Sequence, residues 1–134
     1  MPNYWLLKTE PSTYSYEDLV KQKKARWDGV KNPVANRNIG LMKTGDLAFI
    51  YHTGDVKAVV GIADVISGPY PDPKDNSWTV IDLKPKMKLT RPVTLAEIKA
   101  EKLFKDFLLV RISRLSVMPV AKIWWDAINQ MAME

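Results

Sequence analysis

Asp46-Leu47-Ala48-Phe49-Ile50-Tyr51-His52-Thr53-Gly54-Asp55-Val56-Lys57-Ala58-Val59-Val60-Gly61-Ile62-Ala63-Asp64-Val65-Ile66 is the stretch on which the architecture turns. From Asp46 to His52, apolar side chains fall on both faces of an extended chain, the pattern of a central strand covered on two sides. Lys57 to Ile66 is rich in valine and isoleucine, which suit a second strand. Gly54-Asp55 between the two runs is a turn dipeptide, so the pair reads as a hairpin.

Before this hairpin, Tyr4 to Thr9 reads as a first strand. Ser15-Tyr16-Glu17-Asp18 then starts a short helix, with Ser15 as N-cap and Asp18 as its capping-box partner, and the helix is expected to end near Gln22 and Lys23. Asn32-Pro33 opens a second helix, because Asn caps well and Pro has no N–H to waste at the first helical position. After the hairpin, Ser67 to Asn76 carries Gly68, Pro69, Pro71 and Pro73 and reads as a loop. Trp78 to Leu89 alternates: Ile81, Leu83, Met87 and Leu89 fall on one face, and Trp78, Val80, Asp82, Lys84, Lys86 and Lys88 on the other. Pro85 marks that strand as an edge or a bulge. Thr94-Leu95-Ala96-Glu97 is a capping box for a third helix. Val110 to Val117 is expected to be a strand, and Pro119 to open a last helix that buries Val120, Ile123, Trp124, Ala127, Ile128 and Met131, with Trp125 beside that stripe. The pattern predicts an α+β fold: a mixed sheet curled into an open barrel with short helices around it.

The 134 residues suit one domain, 1–134. There is no cysteine, which removes disulfides, thiolate catalysis and cysteine zinc sites together. Met1 to Lys8 does not read as a secretory leader, and no apolar run approaches the roughly 18 residues of a membrane span. The expected location is the cytoplasm, or the nucleus in a eukaryote. Lys and Arg total 20 against 15 for Asp and Glu, a formal charge of +5, which favours an anionic partner.

Catalytic signatures are sparse. There is no Gly-rich phosphate loop, no nucleophile elbow and no paired-histidine motif. His52 is the only histidine; at the end of a buried strand it reads as a hydrogen-bonded core or pocket residue, since acid–base chemistry needs a positioned partner. Among the five tryptophans, Trp5 and Trp124 read as core. Trp27 and Trp78 stand apart, near loops. Each either plugs an end of the barrel or offers a platform on which a flat base stacks. Lys21, Lys23, Lys24 and Arg26 precede Trp27. Lys84, Lys86 and Lys88 share a strand face, with Arg91 beyond, and read either as phosphate contacts or as protection of an edge strand.

Several motifs then converge. Tyr4-Trp5-Leu6-Leu7-Lys8-Thr9-Glu10-Pro11-Ser12, Tyr14-Ser15-Tyr16-Glu17-Asp18-Leu19, Trp27-Asp28-Gly29-Val30-Lys31-Asn32, Met42-Lys43-Thr44-Gly45-Asp46, Tyr51-His52-Thr53, Arg114-Leu115-Ser116-Val117 and Pro119-Val120 occur in this order. In these the chain resembles the EVE domain family, a branch of the PUA-like superfamily. The resemblance implies a PUA-like mixed β pseudo-barrel, no enzymatic activity, no cofactor or metal, and binding to DNA or RNA that carries a modified base such as 5-methylcytosine or an oxidised derivative. It puts Trp27 at the position of the pocket tryptophan. It places Asn32, Tyr51 and His52 on positions that line or support the pocket, Ser12 and Lys8 beside it, and Trp78 as a second wall. Pro33-Val34 and Thr53 depart from the family pattern and flank the expected pocket. Lys24, Arg26, Lys31, Arg37, Lys84 and Lys86 are the candidate backbone contacts. A partner protein would have to supply any downstream effect. Two other readings stay open at this stage: a hydrolase acting on nucleotides or RNA through His52 with Asp28 or Glu10, and a module for small molecules or proteins.

Overall fold

The structure is a computed structural model and describes residues 2–134. Seven strands run β1 (Tyr4–Thr9), β2 (Ala25–Trp27), β3 (Leu47–His52), β4 (Ala58–Val65), β5 (Tyr70–Asp72), β6 (Asp75–Thr94) and β7 (Val117–Pro119). Five short helices, α1 (Tyr16–Gln22), α2 (Pro33–Ile39), α3 (Leu95–Lys99), α4 (Leu108–Arg111) and α5 (Lys122–Ala132), lie between and after them, with one 3-10 turn at Lys102–Phe104. The sheet order is β2-β6-β4-β3-β1-β7, with β5 on β6. Among the described residues only the β1/β3 pair is parallel, and the sheet curls into a half-barrel.

The expected hairpin is β3 and β4, joined through Gly54 at φ +72°. β3 is central, between β1 and β4, and Ala48 to His52 are all buried. The helix starts follow the local chemistry. Ser15 and Asp18 form a complete capping box on α1, as do Thr94 and Glu97 on α3. Lys23 ends α1 in the left-handed region, φ 71°. Asp46 is fully buried; its carboxylate accepts from the N–H of Asn3, the Trp5 indole and the N–H of Lys43 at 2.9–3.1 Å, which locks the turn before β3 to β1.

Four expectations are corrected. The loop expected over Ser67 to Asn76 contains β5 and the start of β6, because Pro71 sits on a short outer strand where a missing N–H costs no ladder bond. The alternation of Trp78 to Leu89 fails at two points: Val80, paired with Tyr70 of β5, is buried, and Met87, just past a bulge after Pro85, is 52% exposed. Val110 to Val117 is not a strand. Phe104 and Phe107 enter the core, and the N–H groups of Val110 and Arg111 both donate to the Phe107 carbonyl, which winds Leu108–Arg111 into a helical turn. Pro119 belongs to β7, and α5 starts three residues later, which rotates its stripe. The buried face is therefore Trp125, Ile128 and Ala132, while Ile123 is 60% exposed. Trp125 stacks between Tyr4 and Phe49, with ring centres 4.6 and 3.9 Å away. Trp124 instead covers Phe107 and donates to the Leu103 carbonyl at 2.9 Å.

Candidate nucleic-acid interface

β2 is short but fixed in register: Ala25 faces Leu83 and Trp27 faces Ile81 on β6. The chain then turns through Gly29, φ +79°. Asn32 stops it, its Oδ1 accepting from the N–H groups of Val34 and Ala35 at 3.0 Å each. Asn36, one turn into α2, holds this loop against β6. Its Nδ2 donates to the carbonyls of Val30 (3.2 Å) and Thr79 (2.8 Å), and its Oδ1 accepts from the Thr79 N–H at 3.0 Å. Asn38 ties the same helix to β7 by donating to the Val117 carbonyl at 2.8 Å.

β2 and the loop from Asp28 to Asn32, with the end of β1, the Thr13-Tyr14 turn, Gln22 of α1 and Ser116, line an open cavity of about 1050 Å³. Such a volume lies just above the roughly 300–1,000 Å³ typical of ligand sites. Trp27, 7% exposed, forms part of its wall and meets the Tyr14 ring edge-on at 6.0 Å and 79°. The Tyr14 hydroxyl donates to Gln22 Oε1 at 2.5 Å, fixing the second aromatic. Four cations, Lys8, Lys24, Arg26 and Lys31, line the cavity against one carboxylate, Asp28.

Lys8 is the most constrained of the four. Its ammonium donates to the Ser113 carbonyl at 2.7 Å and lies 5.7 Å from the centre of the Tyr51 ring. Burial pulls its pKa below the ordinary lysine value. Tyr51 is buried beneath it, and burial raises the phenol pKa. The Tyr70 hydroxyl, then the charges of Asp72 and Asp28, hold Arg26 in its charged form. Lys31 sits 5.3 Å from the centre of the Trp78 ring, which bridges that half-buried indole to the cavity lining.

The structure thus brings Lys8, Lys24, Arg26, Trp27, Lys31 and Asn32 together on one cavity. Ser12, Arg37, Tyr51, His52, Trp78, Lys84 and Lys86 are not among its lining residues. Ser12 donates through N–H and hydroxyl to Glu10 Oε1, whose carboxylate also accepts from the Thr53 hydroxyl. These bonds, the Ser12 N–H first, lower the Glu10 pKa. His52 is 5% exposed, and its Nε2 accepts from the Tyr16 N–H at 3.0 Å. Arg37, Lys84 and Lys86 are exposed, and Lys86 is 3.8 Å from Asp64. The sequence reading assigned no role to Tyr14, Gln22, Asn36, Asn38 or Ser116. The signal for Tyr14 and Ser116 was present, since both lie inside the recurring motifs; a lone asparagine in a helix offers none.

Comparison with known proteins matches this arrangement to a family. Thymocyte nuclear protein 1 of Mus musculus is 30% identical over 164 aligned positions, which span 96% of this chain and 73% of that protein. A solved structure of a Rhodopseudomonas palustris protein superposes with a TM-score of 0.93 at 41% identity, covering 98% of this chain and 93% of that one. The human THYN1 protein in complex with 5-methylcytosine-containing DNA superposes with a TM-score of 0.90 at 24% identity, covering 98% of each chain. The fold is the PUA-like one of these neighbours. The EVE domain pattern matches residues 3–131, so the chain belongs to the EVE domain family.

Proposed function

We propose that this chain binds nucleic acid without turning it over and holds one base, preferentially a modified one, in the cavity beside Trp27. The observation that carries the reading is the lining itself: an indole and a phenol ring fixed edge to face, with four cations and one carboxylate around them. A base that leaves its stack loses a few kcal/mol, about what a fitted aromatic site returns. The cations supply the part of affinity that tracks phosphate and falls with salt. Asn32 keeps its amide NH₂ for the ligand while its oxygen caps α2. The DNA in the complex of the human relative supports the same class of partner here. His52 supports binding over hydrolysis, since its Nε2 is already engaged by a backbone N–H.

The test is fluorescence anisotropy with matched oligonucleotides, single-stranded and duplex, with and without 5-methylcytosine, across a salt series. The reading expects tighter binding of the modified strand. An apolar niche for one methyl group discriminates by about 10–200-fold. Equal affinity for both strands would remove the modified-base claim, and affinity indifferent to salt would remove nucleic acid as the partner.

A further inference from the structure

We infer that the turn Ile112–Leu115 is a second nucleic-acid contact, with the Arg114 guanidinium seated on a phosphate of the strand whose base enters the cavity. The inference rests on the function proposed above and adds a residue to it. The Leu115 N–H donates to the Ile112 carbonyl at 3.2 Å, so Ser113 and Arg114 form the tip of a tight turn. That tip is pinned to the cavity at two points: the Lys8 ammonium donates to the Ser113 carbonyl at 2.7 Å, and the Lys8 N–H donates to the Ser116 carbonyl at 2.9 Å. Lys8 and Ser116 both line the cavity.

Arg114 is exposed on this turn, two residues before the cavity-lining Ser116. Two other arginines have fixed partners, Arg91 on Glu97 and the Met131 carbonyl and Arg111 at 3.7 Å from Asp106, and Arg26 lies under the charges of Asp72 and Asp28. Arg37 is exposed without an ion pair but sits on α2, away from the cavity lining. None of the ion pairs among the described residues includes Arg114. An arginine with no carboxylate, carried on a turn fixed to a binding cavity, presents its planar fork to an incoming anion. Phosphate fits that fork with two parallel hydrogen bonds. A strand that places a base in the cavity must carry its sugar–phosphate chain over the rim, and this turn adjoins that rim. Phosphate contacts position the strand and carry no base information. Arg114 should therefore add equally to binding of modified and plain strands.

The experiment measures affinity against salt for the wild type, Arg114→Gln, Arg114→Lys and Lys122→Gln. Lys122 is a charge-matched control. It pairs with Asp126 at 2.7 Å and lines a groove with Tyr4, at the end of β1 roughly 13 Å along the strand from Lys8. The expected result is a log–log salt slope reduced by about one in Arg114→Gln, with equal weakening on both oligonucleotides. Arg114→Lys should retain the slope and Lys122→Gln should leave it unchanged, with melting temperatures of all variants alongside the wild type. A slope unaltered by Arg114→Gln, or lowered as much by Lys122→Gln, overturns the inference while leaving the cavity reading in place. A wild type that binds neither oligonucleotide overturns both.

Discussion

The backbone N–H of Tyr16 donates to Nε2 of His52 at 3.0 Å, and this bond joins the start of α1 to the end of β3. It requires an imidazole whose Nε2 is unprotonated. Burial, and to a lesser degree the Lys88 charge, lower the His52 pKa, against the opposing charges of Glu17 and Glu10. The unfolded chain takes up a proton near the ordinary value of 6.5 and the native state only at lower pH. Between those points the unfolded state binds more protons, so stability is full above about pH 6.5 and falls as pH drops below it. The lowered carboxylates Glu10, Glu17, Asp18, Asp75 and Glu97 respond mainly around and below their ordinary values of 3.8–4.5, beneath most of this window. Urea midpoints from pH 7 to pH 5 should fall in the wild type and stay level in His52→Gln, whose amide oxygen can still accept from Tyr16. A level wild-type profile would mean that the buried imidazole does not resist protonation.

Tyr16 also fixes the sheet from outside. Its hydroxyl donates to the Ile62 carbonyl at 2.8 Å and its ring covers Gly61, where an added Cβ would fall 2.5 Å from Cε1. Tyr16 is buried, so neither the ring nor the backbone beneath it has room to give. Gly61→Ala should lose about 1–3 kcal/mol in chemical denaturation, the usual cost of overpacking. A neutral result would place the ring farther from the strand.

The Arg91 guanidinium closes the other side of the barrel. It reaches both Glu97 oxygens at 2.9 Å and the Met131 carbonyl at 2.8 Å, tying β6 and α3 to the end of α5. Arg91, then the Thr94 N–H, lowers the Glu97 pKa to about 2. A depressed carboxylate contributes stability above pH 4.5 that is lost as pH falls toward 2. Both groups are partly exposed, so the effect on global stability is modest. Carboxyl NMR titration reads it directly: Arg91→Met should move the Glu97 midpoint up, though the Thr94 bonds keep it under 4.5.

Trp124 and Trp125 separate two kinds of burial. Trp125→Ala removes an indole stacked on two rings and should cost about 3–5 kcal/mol. Trp124→Ala removes a half-buried ring and one hydrogen bond and should cost clearly less. Paired unfolding curves decide the order, and the reverse order would restore the stripe expected from periodicity.

That stripe shows where sequence reasoning stops. Ser15/Asp18, Asn32-Pro33 and Thr94/Glu97 were legible because a cap is decided within four residues. The β3–β4 hairpin was legible because Gly54 stands between two apolar runs. The phase of α5 depends on where β7 releases the chain, and Leu108–Arg111 depends on Phe104 and Phe107 finding the core; both are tertiary effects. At the site, the sequence singled out Trp27, Asn32 and the nearby cations, which the fold gathers on one cavity. It also marked His52 as a hydrogen-bonded core or pocket residue, and the fold buries it; that Tyr16 is its partner and that Asn36 holds the cavity loop to β6 depend on long-range packing and were not legible.

The central claim is that a base enters the cavity beside Trp27. The most direct measurement follows the five indole N–H resonances during titration with the matched oligonucleotides. Trp27→Phe assigns its signal, because truncation to Ala at this buried position would cost about 3–5 kcal/mol. Trp5 and Trp124 serve as internal references, their N–H groups held by Asp46 and by the Leu103 carbonyl. The account predicts that the modified strand shifts the Trp27 resonance to saturation at one equivalent, that the plain strand does so only at higher concentration, and that Trp5 and Trp124 stay in place. A bound strand that leaves the Trp27 resonance where it was would contradict the account.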